Sequence, residues 1–311
     1  MKQPSIHAQL HPAGGGKTPC RGRFAPSPSG PLHFGSLVAA LGSWLDARAR
    51  DGVWLVRIED IDPPREQPGA ADDILRTLEA FGLHWDETVV WQSQRTEAYE
   101  AALAQLRPHL FWCTCTRAML RAHEGVYPGT CHHRRTPPAE LAAIRCRAAE
   151  PPAFVDRLQG EIRLDVTVAG RDPVLRRKDG FWAYQLAVVV DDGAQGITDV
   201  VRGRDLLTTT PIQVALQRHL GLPTPNYLHL PLVTDDSGRK LSKQNHAPAI
   251  EVSQRRALLR QGLQVLGLQP PVGLSAAELL RWGIAHWPQR RQSTDAATAT
   301  LLPTTEESDS A

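Results

Sequence analysis

Two short stretches carry residues that could handle a nucleotide. In "GPLHFGS", Gly30 to Ser36, a histidine, a glycine and a serine fall at the start of a helix-like run. Helix starts present unpaired backbone N–H groups and positive potential, which suits phosphate. There Gly35 lets backbone approach closely, Ser36 can donate a hydroxyl, and His33 can hydrogen-bond a phosphoryl oxygen. This loop holds no Gly-Lys-Ser or Gly-Lys-Thr, so it is no Walker loop, and a histidine in this position can also simply cap the helix. In "GRKLSKQ", Lys240 and Lys243 bracket Ser242, two of only five lysines in a chain with 30 arginines. Lysine is a compact point charge suited to polyphosphate. A third group is Cys113, Cys115 and Cys131, a C-x-C with another thiol sixteen residues on. Thiols so spaced suggest Zn²⁺, whose structural sites take four ligands, with His123, His132 and His133 the chemically ordinary choices for the fourth. The alternative is buried, unliganded thiols, as Cys20 and Cys146 read.

The elements around these residues say how they are positioned. "CRGRFA" reads as a short strand entering a loop that Pro26, Pro28 and Pro31 stiffen, since proline fixes φ and restricts the residue before it. Leu37, Leu41, Trp44 and Leu45 then fall at helical spacing, and "GVWLVRIEDID" reads as a buried strand ending in acids. Strand, loop, helix, strand opens an α/β fold with a Rossmann-like, doubly wound parallel sheet. Ligands of such sheets gather beyond the carboxyl ends of the strands.

Helices are expected around Ile74, Leu75 and Leu78, stopping near Gly82, and around Tyr99, Leu103 and Leu106, stopping near Pro108. From Phe111 the texture turns Cys- and His-rich, with a short helix expected in "TPPAELAAIRCRA" and a hairpin about Gln159-Gly160. "FWAYQLAVVVDD" reads as an apolar strand, "TTTPIQVALQRHLGL" as a helix capped by Thr210 with Pro211 in its first turn, and "YLHLPLV" as a strand. The expected layout is a mobile tail over 1–18, a first catalytic half over 19–108 and an insertion with the zinc site over 109–180. A second half with the basic loop follows over 181–250, then a helical part over 251–288 and a mobile tail over 289–311.

Composition bounds the rest. A chain of 311 residues, 41% hydrophobic and 22% charged, can bury a sizeable core. No apolar run approaches the roughly 18 residues of a membrane span. The first twenty residues hold no apolar core of the signal-peptide kind, so the expected location is the cytoplasm, where five cysteines argue for reduced thiols or metal. A net charge of +2 gives no overall basic field.

"PLHFGS" and "KLSKQ" resemble the HIGH and KMSKS signatures of class I aminoacyl-tRNA synthetases, and "RFAPSPSGPLHFGS" is similar to the glutamyl/glutaminyl subclass. "RIEDID", "YQLA" and "VVRGRDLL" follow in that subclass's order. Ser36 stands for the second histidine of HIGH and Gln244 for the last serine of KMSKS. The resemblance implies ATP contacts at His33, Gly35, Ser36, Lys240, Ser242 and Lys243, with His33 and Lys243 stabilising charge in the reaction and Mg²⁺ arriving on the ATP phosphates. It implies glutamate contacts at Arg23, Phe24, Ala25, Pro26, Ser27, Glu59, Tyr184 and Arg202, with the two arginines on carboxylates and Glu59 on the ammonium. It places the fourth metal ligand at Tyr127, through C-x-C, eleven residues, Tyr, three residues, Cys.

Only about 65 residues follow the basic loop, where full members carry an anticodon-binding region. The resemblance is thus to a shortened branch of the subclass. It implies activation of L-glutamate by ATP without tRNA, then transfer to the queuosine base at the wobble position of tRNA(Asp), with no obligate protein partner evident. Conventional charging of a tRNA 3′ end, a small nucleotidyltransferase, and a non-catalytic tRNA-binding module are the competing readings.

Overall fold

The computed structural model describes residues 19–123, 127–147, 152–164, 172–234, 248–287 and 299–300. In chain order the first elements are β1 (Arg21–Phe24), α1 (Phe34–Arg48), β2 (Val53–Ile58), α2 (Ala70–Ala80), β3 (Val90–Trp91) and α3 (Thr96–Gln105). β4 (Leu110–Cys113), α4 (Arg117–Arg121), β5 (Ala143–Cys146), β6 (Phe154–Asp156), β7 (Gly160–Ile162) and β8 (Val174–Arg176) follow. The remainder is α5 (Tyr184–Ala194), β9 (Asp199–Gly203), α6 (Thr210–His219), β10 (Asn226–Leu230), β11 (Val233–Thr234), α7 (Arg255–Val265), α8 (Ala276–His286) and β12 (Ala299–Thr300).

The opening unit forms as its sequence dictates. β1 and β2 pair in parallel, Arg23 opposite Leu55, with α1 as the crossover. His33 caps α1 from extended backbone, its Nδ1 accepting from Ser36 N at 3.3 Å. α1 is apolar nearly all round because it is covered twice, by the sheet below and by α7 and α8 above. The approach is close: a Cβ on Gly42 would stand 2.5 Å from Leu230 Cδ1.

Seven strands make the main sheet in the order β3-β2-β1-β9-β10-β6-β7. Every pair is parallel except the hairpin β6–β7, where Asp156 faces Gly160. The sheet is therefore mixed. Strand order turns at the β1–β9 junction, and the carboxyl ends of β1, β2 and β9 open there onto one side. The hairpin falls within the stretch read as an insertion, yet it extends the main sheet through the pairing of Asp156 with Tyr227 on β10. A separate antiparallel sheet, β4-β5-β8, carries the cysteine-rich segment.

Three expectations are corrected. "FWAYQLAVVVDD" forms helix α5 rather than a strand. It is enclosed in a core with Tyr99, Trp182, Ile212 and Leu216, and a helix buried on every face loses the polar stripe that would reveal its period. The sheet strand expected there is supplied by "DVVRG", β9. "TPPAELAAIRCRA" holds strand β5, because Ala143 to Cys146 pair with Cys113 to Leu110 and tertiary pairing overrides the propensity of Ala, Glu and Leu. Thr209, not Thr210, stands at the N-cap of α6, without a side-chain capping bond, while Pro211 does lie in the first turn. Within the stretch expected to be a mobile tail, Ala299 and Thr300 pair in parallel with Val233 and Thr234.

Candidate active site

The proline loop after β1 is held by its carbonyls. Pro26 O accepts from Glu59 N at 3.0 Å, Pro28 O from Gln67 N at 2.9 Å, and Leu32 O from Ile250 N at 3.0 Å. Proline lacks an N–H but keeps its acceptor, so these residues stiffen the loop while tying it to the chain after β2. Gly30 adopts φ 137°, which favours glycine. His33 is half-buried and pairs with Ala249 across a single bridge. Its Nδ1 is occupied by the cap, which fixes the ring at the start of α1 beside Gly35 and Ser36. Lys240, Ser242 and Lys243 lie outside the described residues; the chain that follows them reappears at Pro248 and meets this loop at Ala249 and Ile250.

Beside the loop lies a buried charge network. Arg23, at the end of β1, is gripped by Asp192 of α5 through Nε–Oδ1 at 3.0 Å and NH2–Oδ2 at 3.3 Å. Arg57, fully buried on β2, reaches the same carboxylate at 2.8 Å, lies 3.9 Å from Asp191, and donates to Gln195 at 2.7 Å. Burial pushes the Asp192 carboxyl up, but Arg23 and Arg57 outweigh it and hold it below its ordinary range. Glu59 is different. Its Oε1 is buried without a hydrogen-bond partner, 3.7 Å from Arg57, and burial pushes its carboxyl up to about 7 against the pull of Arg57 and Arg23. Its ion pair with Arg57 is too long for a hydrogen bond, so this buried oxygen can still accept one from a donor.

Across the β1–β9 junction, Arg202 is buried with three donors engaged: Nε to His229 Nε2 at 3.2 Å, NH1 to Tyr184 Oη at 3.2 Å, and NH2 to Thr210 Oγ1 at 2.7 Å. This explains why Thr210 points inward instead of capping α6. Burial pushes the Tyr184 phenol up, and the Arg202 guanidinium hydrogen-bonded to it pulls the other way. Phe24 stacks on Trp54 in the core, ring centroids 6.4 Å apart, and offers the site only backbone. Ala25 is half-buried, Pro26 is buried and Ser27 is exposed on the loop. The site thus presents two buried arginines, one carboxylate oxygen without a hydrogen bond and a phenol beside a helix start, a set that could serve a small molecule with two carboxylates and an ammonium. Sequence reasoning missed Arg57, Asp156, Asp191, Asp192 and His229. The signal for three was charge inside apolar runs, "VWLVRI" and "VVVDD", since a buried charge must find a partner.

Cys113, at the end of β4, comes together with Cys115 and Cys131 of the chain that follows it, their sulfurs within 4.8 Å of one another. Cys115 Sγ and Cys131 Sγ stand 3.7 Å apart, far too long for a disulfide but close to the roughly 3.8 Å edge of a tetrahedron built on Zn–S bonds of about 2.3 Å. Tyr127 is buried beside them, its Oη accepting from Cys131 N at 2.6 Å. Among the described residues no histidine joins the three sulfurs, and His132 is turned to Asp172 at 2.5 Å. The donor set therefore fits a structural metal.

A cavity of about 430 Å³ opens at the amino-terminal ends of β9 and β10, lined by Asp46, Arg50, Arg157, Asp199, Leu228 and Trp287. Its carboxylates are already paired, Asp46 with Arg50 and Arg157 and Asp199 with Arg50 at 3.0 Å. Among the described residues no helix is long and apolar enough to cross a membrane.

Comparison with known proteins gives the family. Residues 19–270 match the family "tRNA synthetases class I (E and Q), catalytic domain". The chain is 54% identical over 272 residues to the glutamyl-Q tRNA(Asp) synthetase of Photobacterium profundum, covering 86% of this chain and 87% of that one. It is 52% identical over 276 residues to the protein of the same name in Ectopseudomonas mendocina, covering 87% and 94%. Among solved structures it is similar to a glutamate tRNA ligase from Elizabethkingia meningosepticum in complex with its amino acid, at TM-score 0.64 and 29% identity, over 73% of this chain and about half, 52%, of that one. The glutamate-tRNA synthetase of Elizabethkingia anophelis shares the fold at TM-score 0.73 and 24% identity, over 92% and 68%. The chain therefore belongs to the class I tRNA synthetase (E and Q) family and is an enzyme of the ligase type.

Proposed function

We propose that the chain activates L-glutamate with ATP and transfers it to the queuosine base of tRNA(Asp). The observation that carries the amino acid is that Arg23, Glu59 and Arg202 lie at the carboxyl ends of the neighbouring strands β1, β2 and β9, with Tyr184 hydrogen-bonded to Arg202 and the buried Glu59 Oε1 lacking a hydrogen bond. Arg202 takes one carboxylate and Arg23 stands near the other, guanidinium geometry matching carboxylate geometry, while Glu59 takes the ammonium. The acceptor is drawn from the name shared by the relatives.

In the first step a glutamate α-carboxylate oxygen attacks the α-phosphorus of ATP, the bond to the bridging oxygen breaks, and pyrophosphate leaves. Two anions must meet, so the protein's task is positioning and neutralisation. The start of α1 with His33, Gly35 and Ser36, and the lysines Lys240 and Lys243 with Ser242, supply that field, with Mg²⁺ held by phosphates and water. In the second step a hydroxyl of the base attacks the activated carbonyl, and AMP leaves.

We also assign one structural Zn²⁺ to Cys113, Cys115, Cys131 and Tyr127, where it would hold the loop between β4 and β5; thiolate and phenolate donors suit it. Substrates of this kind place the chain in the cytoplasm. ATP–pyrophosphate exchange tests the first step: exchange should require glutamate and proceed without RNA, and exchange supported equally by other amino acids would defeat the assignment.

A further inference from the structure

The three partners described for Arg202 are uncharged, and one of them has a fixed polarity. A guanidinium can only donate, so the 3.2 Å contact from Arg202 Nε calls for a lone pair on His229 Nε2, and the Thr210 hydroxyl, 3.1 Å from the same nitrogen, is able to donate to it as well. The ring proton then sits on Nδ1, which faces the Asp156 Oδ2 at 2.7 Å. Asp156 cannot turn away. Its Oδ1 accepts from Leu158 N and Gln159 N, both at 2.9 Å, and its Oδ2 also takes His229 N at 2.9 Å. The ring is clamped between Tyr227, stacked at 6.0 Å, and Phe154, edge-on at 6.2 Å. Strand register makes the row: Asp156 lies opposite Tyr227 from β6 to β10, and His229 lies opposite Arg202 from β10 to β9.

We propose that Asp156 and His229 are positioning residues for glutamate binding: Asp156 locks His229 in the Nδ1–H tautomer, and His229 Nε2 then aims the Arg202 guanidinium at the substrate carboxylate. The relay spans three strands, and its outermost member belongs to the β6–β7 hairpin at the sheet edge. It rests on the reading of Arg202 as a glutamate contact. With Asp156→Asn, an amide N–H would face the ring, Nδ1 would have to accept, and Nε2–H would be driven against Arg202. A carboxylate that orients a histidine by the same logic is known from serine-protease triads.

The test uses the full chain. Histidine-selective ¹⁵N labelling and long-range ¹H–¹⁵N spectra report the tautomer, with His229 assigned by the signal lost in His229→Gln. The wild type should show His229 protonated on Nδ1; an Nε2–H tautomer or an imidazolium at neutral pH overturns the proposal whatever the substrate proves to be. In pyrophosphate exchange, His229→Leu should raise the glutamate KM about 10- to 100-fold, the scale of losing a charge-assisted hydrogen bond, with the ATP KM moving less than threefold. His229→Gln, whose amide oxygen can still accept from Arg202, should raise it less. Equal effects of Gln and Leu, or equal rises in both KM values, would mean that the ring only fills space. Asp156→Asn should raise the glutamate KM in the wild-type background and add little in His229→Gln, where no tautomer remains to be set; full additivity overturns the relay. If Asp156→Asn does not fold, the tautomer and the Leu–Gln comparison decide alone. Failure of the wild type to exchange with glutamate at all would count against the function and leave the tautomer readout standing.

Discussion

Replacing Arg202 by alanine separates the amino-acid pocket from the fold that carries it. The side chain is buried, and its removal deletes hydrogen bonds at 3.2, 3.2 and 2.7 Å. The Tyr184 hydroxyl can turn to another partner, and His229 Nε2 keeps the Thr210 hydroxyl at 3.1 Å beside the cavity left behind. At about 0.5–1.5 kcal/mol net for each bond, the stability cost is roughly 2–4 kcal/mol. That is within the margin of about 5–15 kcal/mol typical of a domain, so the variant folds but melts earlier. In the pocket a fork-shaped pair of charged hydrogen bonds disappears, at about 1.5–3 kcal/mol each. The total of roughly 3–6 kcal/mol, at about 1.4 kcal/mol per tenfold, is a loss of about 10²- to 10⁴-fold in kcat/KM for glutamate. Urea unfolding gives the first quantity, and glutamate-dependent pyrophosphate exchange with separate KM values for glutamate and ATP gives the second. A folded variant with an unchanged glutamate KM would refute the role given to Arg202.

Three further outcomes follow from the same geometry. Burial pushes the Glu59 carboxyl up to about 7, and it must be ionised to take an ammonium, so the apparent glutamate KM should rise about tenfold for each pH unit below about 7 and level off above it; a flat profile from pH 5.5 to 8 would exclude Glu59 as the ammonium partner. Asp192→Asn strips the anion shared by two buried arginines and should cost about 3–5 kcal/mol in urea unfolding together with a raised glutamate KM, whereas a loss under about 1 kcal/mol would mean that Asp191 and Glu59 suffice. Purified protein should hold one zinc per chain, lost in Cys115→Ser and weakened in Tyr127→Phe; zinc near zero under reducing conditions would leave the three thiols as plain core.

The parts of the fold legible in the sequence are those whose signals are local. β1, the proline loop, α1 and β2 could be read because prolines, a cap and a helical apolar stripe lie within about forty residues. Helix α5 was misread because burial on all sides erases the period that separates helix from strand. Strand β9 went unnoticed beside it, though Arg202 on that strand was singled out through its motif. The supporting residues were hidden for another reason. Asp156, Asp192 and His229 act through partners 73, 169 and 27 positions away, and no local pattern encodes such distances. Tyr127 was found only through a motif, since a phenol is not the ordinary choice for a metal, and its place against Cys131 became visible in three dimensions.

The measurement that bears most directly on the proposed reaction is the position of the transferred label. Radiolabelled glutamate, ATP and the full chain are incubated with tRNA(Asp) carrying or lacking queuosine, and ribonuclease fragments are mapped. Label should appear only on the modified tRNA and only in the anticodon-loop fragment. Label on the 3′-terminal fragment, or equal label on tRNA lacking queuosine, would contradict it.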